Sequence, residues 1–185
     1  MELDKEIAVD NFMETHSGKK FNYDKFDPES VCIHDIAVHL SKICRFIGAC
    51  KNHYSVAQHS VILSKVVPEG YELTALLHDA AEAYTGDIAR PVKNKCPEIK
   101  KYEKDTLPKI FKALDVNYDP KLMEFVTWAD DRLLITEKKQ IMPDKHYYGE
   151  IEKEKPFKVD VSPVTHYEAK WDFLKRWTEL TGRGF

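Results

Sequence analysis

A chain of 185 residues with 43% hydrophobic and 32% charged side chains has the size and balance of one water-soluble globular domain over residues 1–185. A formal net charge of −3 and a pI near 6.2 supply no general attraction to polyanions, so nucleic acid is not an expected partner. No run of about 18 apolar residues occurs, and the opening MELDKEIAVDNFME is acidic and lacks the apolar core of a leader, so no membrane partner is expected and the expected location is the cytoplasm.

In chain order, HSGKKFNYDKFDPESV (16–31) combines Ser-Gly and Asp-Pro turn signals with alternating aromatics, which predicts a short hairpin or extended arm. CIHDIAVHLSKICRFIGAC (32–50) places Ile36, Leu40, Ile43 and Ile47 at helical spacing, with Gly48 as a stop. In YSVAQHSVILSKVVPEG (54–70), Ser55 and Gln58 stand at capping-box spacing ahead of a helix that ends before Pro68. YELTALLHDAAEAYTGD (71–87) predicts one further helix. A charged helix containing Pro108 follows, then a helix with Asp119 as N-cap, Pro120 at its first position and Pro143 beyond its end. EKPFKVDVSPV (154–164) is strand-like, and Thr165 with Glu168 predicts a capping box before WDFLKRW. The body is therefore all-α. Cys32, Cys44, Cys50 and Cys96 form no C-x-x-C pair and are expected as reduced thiols, which argues against a Cys-based zinc site.

The 71–87 segment would be an ordinary buried helix were it not for His78, Asp79 and Glu82. On a 3.6-residue period His78 and Glu82 are i,i+4 neighbours and Asp79 and Glu82 are i,i+3 neighbours, so the three groups share one side. An imidazole and a carboxylate suit a divalent cation such as Zn²⁺, Mn²⁺ or Co²⁺, and a second carboxylate beside them can take a proton from water. His34-Asp35 serves as an internal control: Val38 stands where the other pair has Glu82, and the early helix position lets Asp35 act as an N-terminal charge, a structural role. Further ligands are available from other helices, at His59 in SVAQHSVIL and at Asp130 or Asp131 in TWADDRLLITE, which periodicity does not separate. Three helices supplying His, His-Asp and Asp would leave positions open for water and substrate, as catalytic sites do.

A lone His, a His-Asp pair and a distant Asp together resemble the signature of the HD-domain metal-dependent phosphohydrolases. VAQHS, HDAAEAYTGDIARPVK and WADDRLLITE are most similar to the small subgroup that holds bacterial 5′-deoxynucleotidases and phage deoxynucleoside triphosphohydrolases, over residues 30–142. The resemblance implies an HD-domain helical bundle in which His59, His78, Asp79 and Asp130 hold the metal. It implies Glu82 as general acid/base, Asp87 as a carboxylate assisting at the phosphate, Arg45 near phosphate and Phe46 against sugar or base. Phe46 stands where the subgroup carries Trp. Lys93 is a further candidate for phosphate, with Arg90 and Lys95 nearby, and His53 reads as a surface histidine.

The implied reaction is hydrolysis of the 5′ phosphoester of a deoxynucleoside monophosphate by metal-activated water. A deoxynucleoside triphosphate cut at the same bond is the alternative. A non-catalytic nucleotide-binding relative would be expected to have lost a ligand or the acid, and every position is filled here. Relatives imply a homo-oligomer, for which EIKKYEKDTLPKIFKAL and HYEAKWDFLKRW offer apolar faces.

Overall fold

Phe12–Glu14 (β1) and Lys20–Asn22 (β2) pair antiparallel, with Met13 opposite Phe21, in a computed structural model that describes residues 10–143 and 146–185. The expectation of no leader concerns in part residues 1–9, which lie outside the described residues. A two-stranded hairpin is marginal alone, and this one is fastened to the first helix, Ile33–Lys42 (α1). The Ser17 N–H and hydroxyl donate to the buried Asp35 carboxylate at 2.9 and 2.7 Å, and the His16 N–H donates to His39 Nε2 at 3.1 Å. The control pair His34-Asp35 thus has a structural role, and Asp35 latches the hairpin in addition to lying in the first turn of α1.

Replacing Asp35 with Ala removes a charged acceptor from two hydrogen bonds and should cost about 1.5–3 kcal/mol in urea unfolding. Burial pushes the Asp35 pKa up, but hydrogen bonds from Ser17, Thr15 and Cys32 together more than offset it and leave it below the ordinary value. Its contribution is therefore present above the unfolded aspartate pKa and lost as pH falls through the folded one. The variant should accordingly show a flatter acid limb of stability.

The helix predicted over 32–50 stops at Lys42. Ile43 and Cys44 turn extended because the chain pairs there with residues 54–56: the Val56 N–H donates to the Ile43 carbonyl at 3.1 Å and the Arg45 N–H to the Tyr54 carbonyl at 2.9 Å. Phe46, Ile47 and Gly48 follow at φ 56°, 54° and 77°, so Gly48 closes a left-handed turn rather than a helix, and Ile47 is exposed. Val56–Val66 (α2) starts as expected, with the Ser55 hydroxyl accepting from the Gln58 N–H. The Gln58 side chain, however, goes elsewhere.

The predicted 71–87 helix is two short pieces, Glu72–Leu77 (α3) and Glu82–Thr85 (α4). Between them the N–H groups of Ala80, Glu82 and Tyr84 reach back three residues, to Leu77, Asp79 and Ala81. This tighter winding eclipses positions i and i+3, so Glu82 falls in line with Asp79. Arg90–Lys93 (α5) and Pro97–Ala113 (α6, containing Pro108) lead to the 22-residue Pro120–Ile141 (α7), whose N-cap Asp119 accepts from the Lys121 N–H.

Residues 154–164 run extended but join no sheet among the described residues. Side-chain amides replace a partner strand: Gln140 bonds the Val159 carbonyl and the Val161 N–H, and Gln58 bonds the Ser162 carbonyl and the Val164 N–H. His166–Thr181 (α8) then begins with the full Thr165–Glu168 capping box.

α8 packs on α1, α2 and α3 around Phe21, Ile36, Leu40, Leu76, Ile110, Phe111, Phe173 and Trp177. A second apolar cluster, with Tyr54, Leu63, Val126, Leu133 and Val161, joins α2 to α7. The two clusters clamp α2 and α3 from opposite sides and bring His59, His78 and α7 together. Among the described residues no helix is long and apolar enough to cross a membrane.

Candidate active site

α2 contributes His59, fully buried; the tightened turn after α3 contributes His78 and Asp79; α7 contributes Asp130. The His59 ring donates from Nδ1 to Glu137 Oε1 at 2.5 Å, and the His78 ring donates from Nδ1 to the Ala75 carbonyl at 2.8 Å. A carboxylate and a carbonyl only accept, so both rings turn their Nε2 atoms inward. Those atoms lie 3.3 Å apart, with Asp79 Oδ2 3.1 Å from His78 Nε2 and Asp130 Oδ1 3.1 Å from His59 Nε2.

Two ring nitrogens at that distance need a proton or a metal cation between them. The charges say the same. Burial and Arg45 lower the His59 pKa, yet Glu137 and Asp130 carry it up to about 9. Burial works against the Asp79 charge, but His78 and His59 hold its pKa down at about 2, and His59 and Arg45 hold Asp130 far below the usual range in the same way. Ligand atoms of His59, His78 and Asp79 all lie within 4.8 Å of one another. Asp130 Oδ1 is buried and without an aligned hydrogen-bond partner among the described residues. Two nitrogens and two carboxylates fit a divalent cation of the borderline class. Asp130 is the aspartate that faces His59, while Asp131 points to Arg90, 2.7 Å away.

Glu137 lies under this cluster with no exposure, and the sequence alone assigns it no role. Besides His59 it takes the Arg45 fork, Nε at 3.2 Å and a terminal nitrogen at 3.1 Å, and the Tyr54 hydroxyl at 2.9 Å. One carboxylate therefore fixes both an imidazole tautomer and a guanidinium. Its signal was present in WADDRLLITE: Glu137 follows Asp130 by seven residues, two helical turns on the same face. Glu137→Gln should weaken divalent-metal affinity by about 10–100-fold, as loss of such supporting partners does, read by metal titration of the purified protein.

Arg45 also stands 3.7 Å from Asp79 and 3.9 Å from Asp130, and its guanidinium is 5.7 Å from the centre of the half-buried Phe46 ring. Arg90 is exposed and reaches both Asp131 and, at 3.8 Å, Asp130. His53 is exposed, with its ring 3.1 Å from the Ser41 carbonyl.

Glu82 is buried beside the cluster. Lys93 Nζ sits 2.8 Å from Glu82 Oε1 and 2.8 Å from Glu103 Oε2, and Glu103 Oε1 accepts from the Thr85 hydroxyl at 3.1 Å. Glu82 Oε2 has no partner among the described residues. The two members of the Glu82–Lys93 pair respond differently. Burial opposes the Lys93 charge, but Glu82 and Glu103 hold it firmly positive; burial, Asp79 and Asp87 push Glu82 well above the usual carboxylate range despite Lys93. Burial and Asp79 also raise Asp87, on the loop after α4, against the opposing pull of Arg45.

A family model described as 5′-deoxynucleotidase YfbR-like matches residues 21–142. A protein of Escherichia coli (strain K12), YfdR, described as uncharacterized, is 37% identical over 175 residues, covering 92% of this chain and 96% of that protein. An uncharacterized protein of Rhodobacter capsulatus is 35% identical over 86 residues, covering 42% of this chain and 44% of that protein.

Proposed function

The chain belongs to the YfbR-like 5′-deoxynucleotidase family, a hydrolase family of the HD superfamily, and on that premise we propose that it hydrolyses the 5′ phosphoester of deoxynucleoside monophosphates. HD-type phosphohydrolases use divalent metals; here His59, His78, Asp79 and Asp130 would hold the ion, Mn²⁺, Co²⁺ or Zn²⁺ by their donor set. When bound, the ion supplies charge neutralisation at phosphate and a more acidic water. Glu82 holds and returns the proton through Oε2, Asp87 assists at the phosphate, Arg45 offsets phosphate charge from a fork fixed by Glu137, and Phe46 packs against sugar or base. The protein acts as one HD domain over residues 1–185, in the cytoplasm and as a homo-oligomer, on small-molecule nucleotides without nucleic acid or a membrane as partner.

The observation that supports a monophosphate over a triphosphate is how fully the cations are already engaged. Arg45 is shared among Asp79, Asp130 and Glu137, and Lys93 between Glu82 and Glu103. Arg90, paired with Asp131 but exposed, is a cation with reach to spare for a longer phosphate chain. Incubating Mn²⁺- or Co²⁺-loaded protein with each deoxy- and ribonucleoside mono- and triphosphate, and resolving the products by ion exchange, tests this. Nucleoside and phosphate from deoxynucleoside monophosphates are expected. Intact triphosphate with deoxynucleoside would replace the proposal by a triphosphohydrolase, and no turnover across the panel would point to a binding role.

A further inference from the structure

We infer that Lys93 and Glu103 are positioning residues for Glu82, and that Lys93 acts through that carboxylate rather than on substrate phosphate; this rests on the hydrolase function proposed above. Lys93 resembles a phosphate ligand by its motif, yet its ammonium is spent. It lies 2.8 Å from one oxygen of Glu82 and 2.8 Å from one oxygen of Glu103, and the side chains of Lys93 and Glu103 are 16% and 14% exposed. Its single compact charge is divided between two carboxylates at hydrogen-bond distance, whereas the Arg45 guanidinium presents a fork of several donors.

The circuit also closes on itself. Thr85, on the same short helix as Glu82, donates to the second oxygen of Glu103, so α4, α5 and α6 are cross-linked by one chain of contacts. Glu103 stands 21 residues beyond Glu82 in sequence, in the charged first half of α6. Its consequence for Glu82 is directional. With Oε1 fixed by Lys93, the side chain cannot rotate to satisfy Oε2 within the protein, and Oε2 is the buried oxygen left without a partner. A proton-transfer group needs this arrangement, one oxygen anchored and the other free for the reacting atoms.

Steady-state kinetics of metal-loaded Lys93→Met, Lys93→Arg and Glu103→Gln, each alone and combined with Glu82→Gln, test the assignment. Lys93→Met should lower kcat by about 10–100-fold, part of the contribution of general acid/base catalysis, with KM held within about threefold. Lys93→Arg should recover most of that loss, and Glu103→Gln should lower kcat by about threefold or more in the same manner. In the Glu82→Gln background none of the three substitutions should cost more than about twofold, because the group they position is already gone. A KM raised about tenfold with kcat preserved, or a loss that persists undiminished beside Glu82→Gln, would show Lys93 working on the substrate and overturn the inference.

A crystal structure of Lys93→Met provides a readout that does not depend on turnover. The Glu82 carboxylate is expected to leave its wild-type position; an unmoved Glu82 would refute the positioning role. If wild-type protein hydrolyses nothing in the nucleotide panel, the proposed function fails while this structural result still stands or falls by itself.

Discussion

Asp79→Ala is expected to remove bound metal and hydrolytic activity together. Asp79 Oδ2 lies 3.1 Å from His78 Nε2 and 3.8 Å from His59 Nε2, so its carboxylate closes one side of the space that the two inward-facing nitrogens share. Truncating it takes away a ligand and also the negative charge that makes the pocket receptive to a cation. Loss of a supporting residue typically costs about 10–100-fold in affinity, and loss of a direct ligand should exceed that. Elemental analysis of purified variant and wild type, alongside the nucleotide assay, decides the matter. Wild-type metal content in the variant would take Asp79 out of the ligand set. The isolated protein should remain folded, because Asp79 is partly exposed and the apolar clusters on either side are untouched.

Glu82→Gln is expected to retain metal and nucleotide binding while hydrolysis falls by about 10²–10⁴-fold. The amide oxygen can still accept from Lys93, so the geometry at Oε1 is preserved and only proton exchange at the other position is lost. Burial, with Asp79 and Asp87 close by, raises the Glu82 pKa well above the usual carboxylate range. The limb of the kcat profile that follows this ionisation should vanish in the variant. A pH–rate series on both proteins, with equilibrium nucleotide binding measured in parallel, tests the assignment; unchanged kcat would eliminate Glu82 as the proton carrier.

The helix starts at Ser55, Asp119 and Thr165 were legible because a cap is a local event, a hydroxyl or carboxylate within three residues of the N–H it accepts. The break at Ile43 was not, because it depends on pairing with Tyr54 and Val56 across a loop, and the helical period of Ile36, Leu40, Ile43 and Ile47 continues through it undisturbed. The strand-like residues 154–164 failed differently. Their alternation reports an extended chain, and the chain is extended, but Gln58 and Gln140 supply the hydrogen bonds that a neighbouring strand would have given. The Ser55–Gln58 capping box is only half made for the same reason.

By itself, the sequence determined the kind of molecule and the chemistry available to it: an all-helical body with a small hairpin, a His, His-Asp and Asp set, and an adjacent glutamate. These are properties of residue type and short spacing, and they survive any rearrangement of the helices. Tertiary structure alone decided which groups meet. It turned Asp130 rather than Asp131 towards His59, tightened the turn that aligns Asp79 with Glu82, placed Glu137 beneath both His59 and Arg45, and set Lys93 between Glu82 and Glu103. The side-chain pairs among these lie 10 to 92 positions apart, from Lys93 and Glu103 to Arg45 and Glu137. No periodicity records them, because they are fixed by how two apolar clusters pack helices against one another and by the need of each buried charge to find a partner.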